Sequence, residues 1–379
     1  MNTKILAFDS MYIIQPLRRI YLASINKILN KKHSRDNRLI LYRLDKDNFF
    51  ISDNRNISGM TVGAHQGHID ALSIKFYRYI EQSRVYNTLL IDDVPLYQLY
   101  PRQIKLKLAG VLRCAFRIRN LLNESQDNIE IITDKQTAAI IKEAFLFLDY
   151  ANTNITWKTH ALLTSCITIN SFIMRFAAIV KMYTSPSEHP NEYFYKHVNL
   201  NAPTVLITMP KNRPKDFFPM YVERFSSRFN IVLYSLVFFE TTPKNFKRIK
   251  FEKTTRFLQG FFNIKNLCWS SDSYIADIIL IFKKHSNLIT SVDVVNSIFT
   301  NQIDAHISRL QTNALDTYLA IEARKRGVFI LGDIEEEIFY CDSAVVPSIS
   351  ENTESVKLAL ANGGKVAYKG SNSMIQYRF

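Results

Sequence analysis

Acidic residues close three apolar runs in the first half of the chain. Asp9 follows the run at 4–8, Asp92 and Asp93 follow 87–91, and Asp134 follows 128–133. A carboxylate at a strand end is placed to deprotonate a hydroxyl as a general base, and Asp is also a common turn former there. The second half carries cations and hydroxyls at equivalent places. Arg213 and Lys215 stand in a Pro/Lys/Arg loop at 210–216, behind the apolar run 204–209, where they form either a phosphate clamp or a solvated basic loop. Lys283, Lys284, His285 and Ser286 follow the run 276–282, two cations and an imidazole that form either an anion site at a strand's end or a structural histidine beside solvated lysines. Ser348 and Ser350 lie in a short loop before a helix that starts near Glu351. Free N–H groups and the dipole at such a helix start favour a phosphate. Thr353 adds a third hydroxyl, and Glu354 is placed to accept from ribose hydroxyls. Ordinary capping uses the same residue types.

These residues need a scaffold of strands and helices, and the patterning supplies one. The apolar run at 4–8 precedes a helical period through Ile13, Leu17, Ile20, Tyr21, Ile25 and Ile28, and a second apolar run follows at 38–43. That is a β–α–β unit, the building block of a parallel sheet. Strands at 87–91 and 128–133 follow, then a helix at 136–148. Between those strands, residues 102–119 form an amphipathic helix with Ile104, Leu108, Val111, Leu112, Ala115 and Ile118 on one face and Arg102, Lys105, Arg113 and Arg117 on the other. The basic stripe reads as a solvated outer face, or as a contact with an anionic membrane or acidic acceptor. The stretch 184–203, with three prolines and a polar start, reads as a linker. The same rhythm then restarts, with strands at 204–209, 230–235, 276–282, 327–331, 343–347 and 365–368 and helices at 217–229 and 334–341. Continuous apolar runs without alternation suit strands covered on both faces.

The chain has 379 residues and a formal charge of +14, spread over both halves. At roughly 150 residues per domain the length allows two or three domains, and the linker divides it into 1–190 and 191–379. A dispersed excess without a basic tail or a recognised motif argues against nucleic acid as a partner. Cys114, Cys166, Cys268 and Cys341 are far apart and read as free thiols, and no Cys/His cluster has zinc spacing. His65 and His68 lack a third ligand. With only 10 glycines, a glycine-rich dinucleotide loop is not expected. The apolar stretch 161–180 carries Arg175, Asn170 and several hydroxyls, so a buried or interfacial helix fits it better than a membrane span. The first residues lack the pattern of a signal peptide.

Taken together, the chain resembles the GT-B class of nucleotide-sugar glycosyltransferases, with two halves, a central linker and a donor site in the second half. Residues 332–370 are similar to that class's donor region through Cys341-Asp342, Ser348 and Ser350, Glu354 and Gly364-Lys365-Val366. Within the class, the order of motifs resembles that of bacterial capsule and lipooligosaccharide transferases, including sialyltransferases. Asp134-Lys135 or Asp92-Asp93 stands where those families carry an acidic motif ending in glycine, His285-Ser286 where they carry His-Pro, and Ser348-Ile349-Ser350 where they carry paired Ser/Thr. The resemblance implies an α/β fold of two Rossmann-like domains facing across a cleft, 1–190 for the acceptor and 191–379 for the donor. It implies transfer of a sugar from a nucleotide-sugar, a CMP-sialic acid or related CMP-sugar, to a hydroxyl of a cell-surface glycan or glycolipid, with no cofactor and no metal. Asp134 would be the base. His285 would stabilise the leaving phosphate, and Arg213, Lys215, Lys284, Ser348, Ser350 and Glu354 would hold the donor. A cytoplasmic location, peripheral at the inner face of an anionic membrane, goes with that reading. The alternative is a protein that kept the fold as a binding or regulatory module.

Overall fold

A computed structural model describes residues 2–8, 13–30, 37–44, 48–53, 56–60, 66–82, 90–91, 94–124, 129–150, 155–184, 191–209, 218–235, 243–251, 288–308, 314–333, 342–346, 366–369 and 375–377. The protein is mixed α/β. In chain order the first elements are Asn2–Phe8 (β1), Gln15–Asn30 (α1), Asn37–Arg43 (β2), Asn48–Asp53 (β3), Asn56–Met60 (β4), Gln66–Glu81 (α2), Leu90–Ile91 (β5) and Val94–Pro95 (β6). Leu96–Leu99 (α3), Pro101–Glu124 (α4), Ile129–Thr133 (β7), Lys135–Phe147 (α5), Ile155–Thr159 (β8) and Ala161–Thr184 (α6) follow. Next come Glu192–Lys196 (β9), Thr204–Met209 (β10), a π-helical turn at Phe218–Glu223, Asn230–Ser235 (β11) and Lys247–Lys250 (β12). The last are Leu288–Ile298 (α7), Ala305–Ser308 (β13), Ala314–Lys325 (α8), Phe329–Asp333 (β14), Ser343–Val346 (β15), Val366–Lys369 (β16) and Ile375–Tyr377 (β17).

Two compact units result, each assembled from separated stretches of chain. One comprises Met1–Leu89, Gln103–Ile179 and Asn263–Phe282, the other Leu90–Arg102, Val180–Phe262 and Lys283–Phe379. The first unit holds a six-stranded sheet in the order β4-β3-β2-β1-β7-β8. Its strands β2, β1, β7 and β8 run parallel, and β3 and β4 add an antiparallel edge. Ile5, Leu6, Ala7 and Phe8 of β1 are all buried, as a strand covered on both faces requires. One core joins Leu6, Phe8 and Ile132 of this sheet to Tyr21, Ile25 and Ile28 of α1 and to Leu163 and Cys166 of α6, so both helices cover the same sheet face.

The second unit holds a nine-stranded sheet in the order β12-β9-β11-β10-β13-β14-β15-β16-β17. Six strands, from β11 to β16 in that order, are parallel neighbours. Strands β9, β12 and β17 pair antiparallel at its flanks. Every residue of β10 and β11 is buried, and Val205, Ile207, Ile231, Leu233 and Ile307 form the centre of one core.

Four expectations are corrected. The stretch 184–203 is not simply a linker, because β9 lies inside it and pairs antiparallel with β11. Residues 197–203 are tied down as well: the Asn230 side chain accepts from the Val198 amide at 2.7 Å and donates to the Asn199 and Ala202 carbonyls at 2.9 and 2.8 Å. Of the run 87–91, the described residues Leu90–Ile91 pair with Val94–Pro95 in a two-stranded hairpin and stand outside the six-stranded sheet. The supposed solvated stripe of α4 is largely covered. Lys105 is only 3% exposed and Arg113 and Arg117 are half-buried, while Leu106 is 58% exposed. Long cationic side chains bury their aliphatic stems along apolar surface, so a polar position on a wheel is not by itself a solvent face. The helix expected at 217–229 is shorter than that, a π-helical turn at Phe218–Glu223 that continues as α-helix to Phe225 and ends in a turn.

Helix α4 approaches the end of β2 closely at Gly110. A Cβ there would meet the Leu44 carbonyl oxygen at 2.9 Å, and a backbone atom has no rotamer with which to yield. Alanine would gain about 1 kcal/mol in helix propensity, but overpacking costs typically 1–3 kcal/mol. Gly110→Ala is therefore expected to lower the urea midpoint. A raised midpoint would show that α4 has room to move away from β2.

Candidate functional site

In an open parallel sheet, ligands bind beyond the carboxyl ends of the strands, where the strand order reverses. In the first unit that place lies between β1 and β7, because the chain moves outward from β1 to β2 and returns on the other side of β1 with β7. Asp134 stands there, directly after β7. It is 1% exposed. As the N-cap of α5 it accepts from the Thr137 amide at 2.9 Å through Oδ1 and from the Thr137 hydroxyl at 2.7 Å through Oδ2. The Tyr21 hydroxyl donates to Oδ2 at the long distance of 3.5 Å. Burial pushes the Asp134 carboxyl above the ordinary aspartate range, and the hydrogen bonds from Thr137 pull part of the way back. The Lys135 amide is taken by the Thr164 hydroxyl of α6 at 3.2 Å. Beside Asp134, the buried Thr133 hydroxyl has no hydrogen-bond partner among the described residues.

In the second unit the reversal lies between β10 and β13. Four polar side chains meet at their carboxyl ends, each less than 3% exposed: Thr208, His306, Ser308 and Asp316. Register explains the meeting, since Leu206 pairs with His306 and Ile207 with Ile307, which sets Thr208 beside Ser308. The Thr208 hydroxyl donates to Asp316 Oδ1 at 2.7 Å, and the Ser308 hydroxyl donates to Oδ2 at 3.2 Å. Asp316 lies in the first turn of α8, so the two bonds draw the start of that helix onto the strand ends. His306 Nε2 lies 3.5 Å from the Thr208 hydroxyl and 3.9 Å from Asp316 Oδ1. Its Nδ1 is buried without a partner among the described residues. Burial lowers the His306 pKa to about 4, and the attraction of Asp316 offsets only part of this. The ring is therefore neutral at physiological pH. The adjacent strand end carries Tyr234 and Ser235, both buried, and burial holds the Tyr234 phenol protonated.

Of the residues named as catalytic or donor-binding, the structure describes Asp134 alone, and of the donor-region likeness it describes Asp342, whose carboxylate accepts from the Ile330 amide at 2.8 Å. Asp9, Asp92, Asp93, Arg213, Lys215, Lys284, His285, Ser348, Ser350 and Glu354 lie outside the described residues. The sequence reading missed Thr208, His306, Ser308 and Asp316. Its usable signal was a hydroxyl residue at or next to the end of an apolar run, seen in Thr208 before Met209 and in Ser235. Groups of three or more acidic, His or Cys side chains able to hold a metal ion are absent among the described residues. No helix among them is long and apolar enough to cross a membrane. Set against models of known families and against curated proteins, the chain matches none.

The neutral imidazole has a measurable consequence. The unfolded chain protonates this histidine near its ordinary value of 6.5, whereas folded His306 stays neutral down to about 4. Its contribution is thus complete above pH 6.5 and is lost as pH falls through that window, by roughly 3 kcal/mol. Asp134 acts with the opposite sign, its raised pKa costing stability as pH rises. The difference between the wild type and His306→Gln isolates the histidine. Urea midpoints taken from pH 7 to pH 4 should fall more steeply for the wild type. Parallel falls would show that the ring is not kept from protonation.

Proposed function

We propose that the protein is a glycosyltransferase of GT-B type, with two Rossmann-like units, that moves a sugar from a nucleotide-sugar to an acceptor hydroxyl. The second unit binds the donor and the first carries the base, Asp134. The observation that carries this reading is the Thr208–Ser308–Asp316 clamp, which fixes the carboxyl ends of β10 and β13 beside the start of α8. A preorganised strand end next to a helix N-terminus suits a nucleotide phosphate. The raised pKa of Asp134 suits a base that must accept a proton near neutral pH. The motif order in the sequence makes a CMP-sugar the first donor to test. The chemistry asked of these residues is simple: a carboxylate takes the acceptor's proton as its oxygen attacks the anomeric carbon, and the nucleotide leaves with the electron pair of the broken glycosyl–phosphate bond.

A second reading has one observation in its favour. Both oxygens of Asp134 are occupied by the first turn of α5, as a purely structural cap would be, and the protein would then bind nucleotide without turnover.

Thermal denaturation with CMP, UDP and GDP tests the donor half. One of them at about a hundred times its Kd should add about 2.7 kcal/mol, and Ser308→Ala should weaken that nucleotide about tenfold. If none stabilises the protein, the transferase reading fails. Asp134→Asn should keep the nucleotide effect while lowering turnover by about 10² to 10⁴. Full activity in that variant removes Asp134 as the base, and nucleotide binding with no turnover on any acceptor supports the second reading.

A further inference from the structure

Helix α6 buries polar residues beside Leu163 and Cys166 while leaving large apolar ones in solvent. Its polar residues Asn170 and Ser171 are buried, and the Asn170 side chain accepts from the Ile14 amide at 2.9 Å. Meanwhile Leu162, Ile169, Phe172, Ile173 and Phe176 are 47%, 50%, 49%, 40% and 56% exposed. At about 100° per residue these five fall within an arc of about 100°, a single stripe along the helix. Helix α1, on the same face of the sheet, also exposes Ile20 and Leu22, which lie about 200° apart on opposite flanks of that helix. Scattered apolar side chains at a surface need no explanation, but a contiguous apolar stripe marks an interaction site.

The charges on these two helices identify the occupant. Over 16 and 24 residues, α1 and α6 contain Arg18, Arg19, Lys27, Arg175 and Lys181 and no acidic residue. Arg19 and Lys27 are exposed beside the apolar side chains of α1. The whole chain carries +14. A second copy of the chain docked by two-fold symmetry would set this face against itself, basic residue toward basic residue. An anionic lipid surface meets both demands at once, since its acyl boundary takes up the Leu, Ile and Phe side chains and its headgroups attract Arg and Lys. We propose that the α1/α6 face docks onto an anionic lipid bilayer, with α6 lying in the plane of the interface. This rests on the surface of the first unit and is independent of the donor chemistry proposed above.

Sedimentation of the full-length protein with lipid vesicles tests it. The protein should pellet with phosphatidylcholine vesicles containing phosphatidylglycerol and stay in solution with phosphatidylcholine alone. F172S/F176S should lower the bound fraction's affinity by at least about tenfold. These side chains are exposed, so the variant is expected to keep its thermal transition. Arg19→Gln with Lys27→Gln should weaken binding about fivefold per charge and flatten its salt dependence. A readout that needs no variant is amide hydrogen exchange, which should slow along α6 when anionic vesicles are added. The proposal is overturned by failure to pellet with the anionic vesicles, by undiminished binding of F172S/F176S, or by a wild-type dimer that this variant converts to monomer.

Discussion

A carboxyl group removed from water must have its oxygens satisfied by hydrogen bonds. Asp316 meets that demand with hydroxyls from two strands about a hundred residues apart in sequence, Thr208 and Ser308. The requirement therefore fixes three things together: the register of β10 against β13, the position where α8 starts, and the dry surroundings that keep His306 neutral. A pair of parallel strands alone would align the backbone. It is the shared carboxylate that gives their ends a defined arrangement of side chains.

The first unit applies the same constraint with different wiring. Asp134 is also buried at the beginning of a helix that follows a strand beside the reversal of strand order, but its donors come from its own helix, chiefly Thr137. A local cap orders one helix end. A long-range clamp such as that of Asp316 orders the sheet as well. At Asp134 itself, desolvation outweighs the hydrogen bonds from Thr137, and its carboxyl is pushed upward.

Most strands at the parallel centres of the two sheets were legible because they are uninterrupted apolar runs, and β10 and β11 fall at the boundaries read from sequence, 204–209 and 230–235, whereas β13 between β10 and β14 was not read. Strand β9 was hidden among prolines and polar residues, and only its pairing with β11 and the Asn230 contacts reveal it. Asp134 could be picked out because a carboxylate directly after an apolar run is visible locally. The Thr208, His306, Ser308 and Asp316 cluster could not, since β13 is four residues long with polar residues at alternate positions, and its partners lie far away in the chain. Helix α6 was read as buried or interfacial, and its pattern alone did not say which side faces in: Leu163, Cys166 and Asn170 turn inward, the last held by the Ile14 amide.

The second sheet also carries its own protection against growth. Its outermost strand on one side, β12, offers Lys247, Arg248 and Lys250 within four residues. A sheet edge is a template that any extended chain can join, and positive charge along it is a common means of refusal. Two copies meeting edge to edge at β12 would align ammonium and guanidinium groups across the new ladder, where like charges are destabilising. The strand thus lets a broad sheet end in water without becoming a seed for fibrils.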